Sequence, residues 1–201
     1  MAAVAMPLVA WDKYLEIERA ASGGKSEYFE GRMVAMSGGT YPHARLGTRL
    51  SRILDTALDG RDCTPVNSEL RVAVTPQGPF FYPDASIQCG SPALSDHYRD
   101  TLLNPVVIFE ILSKSTESFD RGFKFRQYRR IGTLQAYVLI SQWEPCVEVF
   151  GKGPDGKWSL TEYYGLDAVC DLGAVDLKLP LSELYRGIPL APMETLPADA
   201  G

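Results

Sequence analysis

The feature that most restricts the fold is the run PVVIFEIL, Pro105 to Leu112, in which one carboxylate stands among apolar residues. A continuous apolar run of this length reads as a strand covered on both faces, so other layers must pack above and below it. Ser113 to Ser118 offers hydroxyl caps for a helix over roughly Glu117 to Ile131, Gly132 closes that helix, and Leu134 to Ile140 is a second apolar strand. This order and length describe a βαβ unit, with parallel strands and a right-handed crossover. Glu110 therefore falls in the interior, where an unpartnered carboxylate costs of order several kcal/mol or must shift its pKa.

Other elements gather around that unit. Val9 to Ala20 reads as a short amphipathic helix, and SEYFEGRMVAMSGG as a hairpin turning at Glu30-Gly31. Between Pro42 and Gly60, Leu46, Leu50, Ile53, Leu54, Ala57 and Leu58 recur at helical steps, with Arg45, Arg49, Arg52 and Asp55 elsewhere around the wheel. Cys63 to Val74 alternates as a strand that sets Glu69, Arg71 and Ala73 on one face, and FFYPDASIQC follows as its antiparallel partner, with Pro83 at an edge or bulge. A further hairpin turns at Pro154-Asp155, and the chain ends in a short strand and a helical turn. The expectation is one α+β domain over residues 9–190, a central mixed sheet flanked by helices with a hairpin-rich C-terminal extension. Residues 1–8 read as a flexible N-terminus and 191–201 as a loose tail.

The 201 residues carry 20 Lys+Arg against 25 Asp+Glu, a formal charge of −5. That excludes a uniformly basic nucleic-acid coat but leaves room for a local basic groove. Cys63, Cys89, Cys146 and Cys170 form no CxxC pair and have no His at ligand spacing. They read as buried thiols of a reducing compartment rather than a zinc site or disulfide framework. With no basic leader and no apolar stretch near the ~18 residues of a membrane span, the expected location is cytoplasmic, away from membranes.

Chemistry concentrates at two acids. Asp84 and Glu110 lie on strands that can be neighbours in one sheet, and such carboxylates repel unless a divalent cation or a basic side chain sits between them. On the intervening helix Asp120, Lys124 and Tyr128 recur at i, i+4 and i+8 and share a face, whereas Arg126, Arg129 and Arg130 point mostly away from it. The crossover lays Lys124 back over the sheet towards Glu110. Two acids that hold Mg²⁺, plus a lysine that orients or deprotonates water, are what metal-assisted phosphodiester hydrolysis needs. On pattern alone, a structural buried salt bridge between Glu110 and Lys124 is the plainer reading.

The string NPVVIFEILSKSTESFDRGFKFRQYRRIGTLQAYVLISQ, preceded by FYPDASIQC, resembles the Uma-two family of restriction-endonuclease-like proteins, a branch of the PD-(D/E)XK nuclease superfamily. EYFEGRMVAMSG, SELRVAV and LKLPLSELYRGI extend the likeness over roughly Val9 to Ile188. The resemblance implies an endonuclease-like fold in which Asp84 and Glu110 ligate Mg²⁺ or Mn²⁺, with Glu69 and the carbonyl of Ile111 as candidate further ligands. The lysine that usually follows the second acid by two residues is replaced by Leu112, so its role is assigned to Lys124, with Lys114 as the rival. Asp120 and Tyr128 are expected to orient Lys124. Glu69 is alternatively an exposed sheet residue, Glu30 a structural turn acid, and His43 either a phosphate contact or a surface cap. Arg126, Arg129 and Arg130 either touch phosphates or form a solvated helix face. The implied activity is metal-dependent endonuclease hydrolysis of nucleic acid, DNA first, by a homodimer. The competing expectation is an inactive nuclease-fold module that binds nucleic acid or protein.

Overall fold

In the computed structural model, which describes residues 8–190, helix α1 (Trp11–Ala20) precedes the hairpin of β1 (Ser26–Phe29) and β2 (Arg32–Ala35). Glu30 and Gly31 turn this hairpin with φ of 49° and 74°, the paired left-handed geometry whose twist matches flanking strands. Helix α2 (Tyr41–Leu58) is capped by the Thr40 side chain and buries Leu46, Leu50, Leu54 and Leu58 along one stripe. Each such leucine contributes about 1.5–3 kcal/mol by leaving water. Then come β3 (Cys63–Asn67), β4 (Arg71–Ala73), β5 (Phe80–Phe81), β6 (Ala85–Cys89), β7 (Thr101–Leu102) and β8 (Val107–Ile111). A helical segment follows, made of α3 (Glu117–Phe119), a π turn (Asp120–Lys124) and α4 (Phe125–Tyr128). The remainder is β9 (Ala136–Ile140), β10 (Cys146–Lys152), β11 (Trp158–Tyr164), β12 (Val169–Leu172), a 3-10 turn (Gly173–Val175), β13 (Leu177–Pro180) and α5 (Leu181–Leu184).

β8 and β9 pair in parallel across the helical segment, as the βαβ pattern requires. They sit within a six-stranded mixed sheet of order β11-β10-β9-β8-β6-β3, beside a five-stranded sheet of order β2-β1-β5-β4-β7 and a β12-β13 ribbon. The six-stranded sheet is the central mixed sheet expected, and a second sheet stands beside it that the sequence did not separate. The cause is that both long strands read from the sequence break at the same level. The first bends at Asn67–Leu70, where the Glu69 N–H donates to Asn67 Oδ1 at 3.0 Å and the Leu70 N–H to the Asn67 carbonyl at 3.3 Å. Its partner breaks between β5 and β6, where Pro83 has no ladder donor. Pairing stays antiparallel on each side of the bend, Cys63↔Cys89 in one sheet and Val72↔Phe81 in the other.

Facing positions bring Cys63 and Cys89 into a disulfide, which corrects the expectation of four free thiols. Their separation of 26 residues in sequence gave no spacing signal, because the pairing is made by strand register. Cys146 and Cys170 are free and buried. The expected helix also ends earlier, at Tyr128, and Arg129–Ile131 close it through turns. Residues 1–7 and the expected tail at 191–201 lie outside the described residues.

The period-two rule explains how β8 serves two layers. Val107, Phe109 and Ile111 pack with the leucines of α2. Ile108 and Leu112 pack on the opposite face with Tyr128, Leu134 and Tyr137. Glu110 belongs by alternation to that second face, beneath the π turn. Among the described residues no helix is long and apolar enough to cross a membrane.

Candidate active site

Asp84 stands at the bend that enters β6. The antiparallel register Ala85↔Phe109, extended by one residue, sets it opposite Glu110. Its Oδ2 accepts the Ile111 N–H at 2.6 Å, so the strand that carries one acid orients the other. Above them the π turn delivers Lys124, whose Nζ lies 2.9 Å from Glu27, 3.1 Å from Glu110 and 3.3 Å from Asp120. Its side chain is only 6% exposed. The Tyr128 hydroxyl donates to Glu110 Oε1 at 3.2 Å. Asp120, Lys124 and Tyr128 thus share one buried face, as their spacing predicts. A helix widened by one π turn is a local irregularity frequent at functional sites.

All of these groups except Tyr128 line a cavity of about 830 Å³, open to solvent, with Phe29, Phe119 and Trp143 among its apolar walls. Four carboxylates, Glu27, Asp84, Glu110 and Asp120, share it with the buried Lys124 ammonium, the exposed Lys114 and His43. Burial would lower the Lys124 pKa, but Glu110, Glu27 and Asp120 together hold it well above the ordinary lysine range, so it stays charged. Burial pushes Glu110 well above the usual carboxylate range, with Lys124 offsetting part of the effect and Asp120, Asp84 and Glu27 adding to it. Asp84 is raised by burial too, against the opposing pull of His43 and the Ile111 N–H. Burial, then the Glu110 charge, keeps the Tyr128 hydroxyl protonated and therefore a donor. Asp120 Oδ1 is shielded from solvent and makes no hydrogen bond, although Lys124 Nζ lies 3.3 Å away.

Other candidates divide between the cavity and the surface. His43 is half-buried with Nε2 3.6 Å from Asp84 Oδ2, and its N–H closes the Thr40 cap at 3.3 Å. Lys114 is exposed on the cavity wall, whereas Lys124 is the lysine that contacts Glu110. Glu69 is not brought to the cavity. It sits in the turn between β3 and β4, 78% exposed and 3.0 Å from Lys25 Nζ. Glu30 occupies the exposed left-handed turn between β1 and β2. Arg126 and Arg129 lie over the Phe123 and Phe125 rings, Arg130 donates to Gln127, and none of the three lines the cavity.

Two contributors went unread in the sequence. Glu27 is buried on β1 and also accepts the Tyr82 N–H at 3.3 Å. The signal was available, since alternation puts Glu27 on the same face as Phe29. Gln142, just after β9, donates to the Leu112 carbonyl at 2.8 Å and accepts from Thr40, tying the start of α2 to the end of β8. Nothing in its local pattern distinguishes it. Among the described residues one trio of Cys, His or acidic ligand atoms converges within 4.8 Å, namely Cys146, Glu148 and Glu162. It is a poor metal centre, because Arg121 grips Glu148 at both oxygens, while burial and then nearby acids push the Cys146 thiol up to about 11.

A mixed sheet with an aspartate and a glutamate facing each other on adjacent strands, and a lysine above them, has the architecture of the restriction-endonuclease-like proteins. The solved structure of "a putative nuclease belonging to DUF820" from Anabaena variabilis shares this fold, with a TM-score of 0.72 over 88% of this chain and 97% of that one, at 19% identity. The chain belongs to the Uma2 family, described as "Putative restriction endonuclease", whose model matches residues 11–182. It is similar to two uncharacterized proteins of Synechocystis sp.. The first, slr1290, is 32% identical over 182 residues, which is 90% of this chain and 94% of the relative. The second, sll1609, is 35% identical over 156 residues, which is 78% and 88%. Family membership makes the function nuclease-like.

Proposed function

We propose that the protein is a divalent-metal-dependent endonuclease that hydrolyses nucleic-acid phosphodiester bonds, with DNA as the first substrate to test. The observation that carries this reading is the charge imbalance of the cavity: four carboxylates face one buried ammonium. A divalent cation fits that surplus. Asp84 and Glu110 would hold Mg²⁺ or Mn²⁺, with the Ile111 carbonyl as a candidate third donor. The bound ion would lower the pKa of water and offset charge developing on the phosphate.

The chain's own residues define the rest. Lys124 is held charged, so it serves as a donor that orients water and stabilises negative oxygen, not as a proton acceptor. Glu27 and Asp120 fix that ammonium from two further sides, and Tyr128 fixes Glu110. His43, beside Asp84 on the cavity wall, is placed to hydrogen-bond water or phosphate. A two-fold dimer would present two such sites to the two strands of a duplex. The buried free thiols fit the cytoplasmic location expected from the sequence, while a Cys63–Cys89 disulfide is more typical of an oxidising compartment.

The test is cleavage of supercoiled and single-stranded DNA with Mg²⁺ or Mn²⁺ by wild type, Asp84→Asn, Glu110→Gln and Lys124→Ala. Metal-dependent nicking by wild type, lost in all three folded variants, is the expected result. The alternative is a nuclease fold that binds without cutting, and it draws on the Lys124 ammonium, which already neutralises much of the acid charge. Absence of both metal binding and cleavage in the wild type would favour it.

A further inference from the structure

The cavity is acidic, and the arginines after Lys124 do not line it, so the cations expected to meet a polyanionic substrate must lie elsewhere. The solvent face of α2 holds them. Arg45, Arg49 and Arg52 follow one another at i, i+4 and i+7, on the side of the helix away from Leu46, Leu50 and Leu54. Arg186, just after α5, joins them through its carbonyl, which accepts from Arg49 Nη2 at 3.0 Å.

These three cations carry no ion pair, although the chain is acidic overall. No carboxylate among the described residues lies within ion-pair distance of Arg45, Arg49 or Arg52, and the neighbouring acid Glu183 is engaged by Arg186. Arg45 Nε and Arg49 Nε are shielded from solvent with no hydrogen-bond partner. Burial, and then repulsion from Arg186, Arg45 and Arg52, makes Arg49 hold its proton less firmly than an ordinary arginine. Clustered like charges are an arrangement that a bound polyanion would relieve. The helix begins at the catalytic cavity, since Thr40 and His43 on its first turn line the wall. From Arg45 to Arg52 the axis rises about 10 Å. At roughly 3.4 Å of duplex axis per phosphate of one strand, three guanidinium groups over this length can meet a few phosphates.

We propose that Arg45, Arg49 and Arg52 form a track for the phosphate backbone of a nucleic-acid strand, which runs along the outer face of α2 and reaches the cavity at its first turn. This deepens the nucleic-acid reading of the site and rests on it. It transfers the backbone-binding role from Arg126, Arg129 and Arg130 to a surface contiguous with His43.

The experiment is fluorescence anisotropy with a labelled 20-nucleotide single-stranded DNA, the matching RNA and the matching duplex. It is done in EDTA across a salt series, so that binding is read without turnover. Wild type is compared with Arg45→Gln/Arg49→Gln/Arg52→Gln and with the corresponding triple lysine variant. The pair Arg45→Gln/Arg52→Gln, which keeps the Arg49 contact to α5, guards against a folding artefact. Loss of three contacts is expected to reduce the slope of log affinity against log salt by about 2 for a single strand. Those contacts supply a roughly 20-fold loss between about 50 and 200 mM salt. Lysine should retain most of the slope, and the double variant should lose about two thirds of the effect.

Unchanged affinity and slope in the glutamine variants would overturn the track. So would a loss confined to Arg126→Gln/Arg129→Gln/Arg130→Gln, or wild type that binds none of the three probes. Cleavage with Mg²⁺ or Mn²⁺ is read separately. Arginine-dependent binding without turnover under any divalent ion would sink the nuclease reading and keep the track. Turnover with wild-type salt dependence in the triple glutamine variant would do the reverse.

Discussion

Two clusters of buried charge meet at Tyr82, whose N–H donates to Glu27 in the cavity while its ring lies 5.9 Å from the Arg71 guanidinium. On the Arg71 side the charges balance. Arg71, only 3% exposed, contacts Asp100 at 2.5 Å and donates to Thr101 Oγ1 at 3.2 Å, while Arg19 reaches Asp100 at 2.8 Å and Asp96 at 2.7 Å. Burial would raise the Asp100 pKa, but Arg19 and Arg71 outweigh it and hold the carboxyl well below the usual range. In the cavity, acids outnumber the ammonium, and both Asp84 and Glu110 are raised. The two clusters therefore have opposite electrostatic outcomes, and Asp100 is also the more exposed carboxyl, 33% against 5% for Glu110. The balanced cluster ties α1 to the five-stranded sheet, and the unbalanced one is left with acids that a ligand can complete.

The comparison breaks most visibly at Lys124. Replacing it with Met strands Glu27, Glu110 and Asp120 without their common cation, which should cost about 3–5 kcal/mol at neutral pH and abolish cleavage. A lysine pKa raised by folding contributes stability that is fully present below about 10.5 and lost as pH rises through the folded value. Around pH 7 the wild type thus keeps this contribution, whereas in Lys124→Met the stranded acids take up protons as pH falls. Urea unfolding between pH 8 and 5 should show the deficit shrinking with acid. A pH-independent deficit would mean that packing of the lysine stem, not charge, is what was lost.

Asp84→Asn and Glu110→Gln should separate activity from stability. Each is expected to reduce metal-dependent cleavage by about a thousandfold or more, about 4 kcal/mol of transition-state stabilisation. Both carboxyls have raised pKa values, so their ionisation opposes folding as pH climbs above the ordinary 3.8 and 4.5 through the folded values. Removing the charge should leave stability at pH 7 equal or higher, with the difference fading below pH 4. A large stability loss with cleavage intact would place these acids in the structural class of the Arg71 cluster.

Asp100→Asn should behave in the opposite way. It leaves Arg71 buried beside a weakened partner, and because Asp100 is 33% exposed the cost falls towards the lower end, about 2–3 kcal/mol, with cleavage unchanged. A depressed carboxyl pKa contributes stability present above about 3.8 and lost as pH falls through the folded value. Acid unfolding of the wild type should therefore steepen below pH 4, and the variant should lack that component. If cleavage fell along with stability, the two clusters would be coupled through Tyr82.

What the sequence revealed, and what it hid, follows the range of each interaction. The βαβ unit and the shared face of Asp120, Lys124 and Tyr128 were legible because they depend on periodicity within one element. Glu110 was legible because a carboxylate inside PVVIFEIL contradicts its surroundings. The bends at Asn67–Leu70 and Pro83 were not, since alternation continues through them while the strands change sheets. The bend took Glu69 off the sheet face, while the Cys63–Cys89 pairing follows from antiparallel register and not from any cysteine spacing. Glu27 and Gln142 were missed because their partners are far away in sequence, 97 residues from Glu27 to Lys124 and 102 from Thr40 to Gln142. Balance of charge is likewise a tertiary property, which explains why the Arg71 cluster carries no motif of its own.

Glu69 gives the smallest effect and the sharpest check on which acids belong to the site. It was read as either a third metal ligand or an exposed sheet residue, from a strand position that the turn after β3 has removed, and its visible partner is Lys25. An exposed pair of this kind is worth about 0–1 kcal/mol and is screened by salt. Glu69→Gln should therefore move the unfolding midpoint slightly, less so in high salt, and leave both metal binding and cleavage at wild-type levels. Glu27→Gln, by contrast, removes one of the three acids around Lys124 and should lower cleavage while the protein remains folded. If calorimetric titration with Mn²⁺ showed weakened binding in Glu69→Gln but not in Glu27→Gln, the β3–β4 turn would have to swing towards the cavity when metal binds, and the border between surface charge and functional charge would lie elsewhere than the cavity wall.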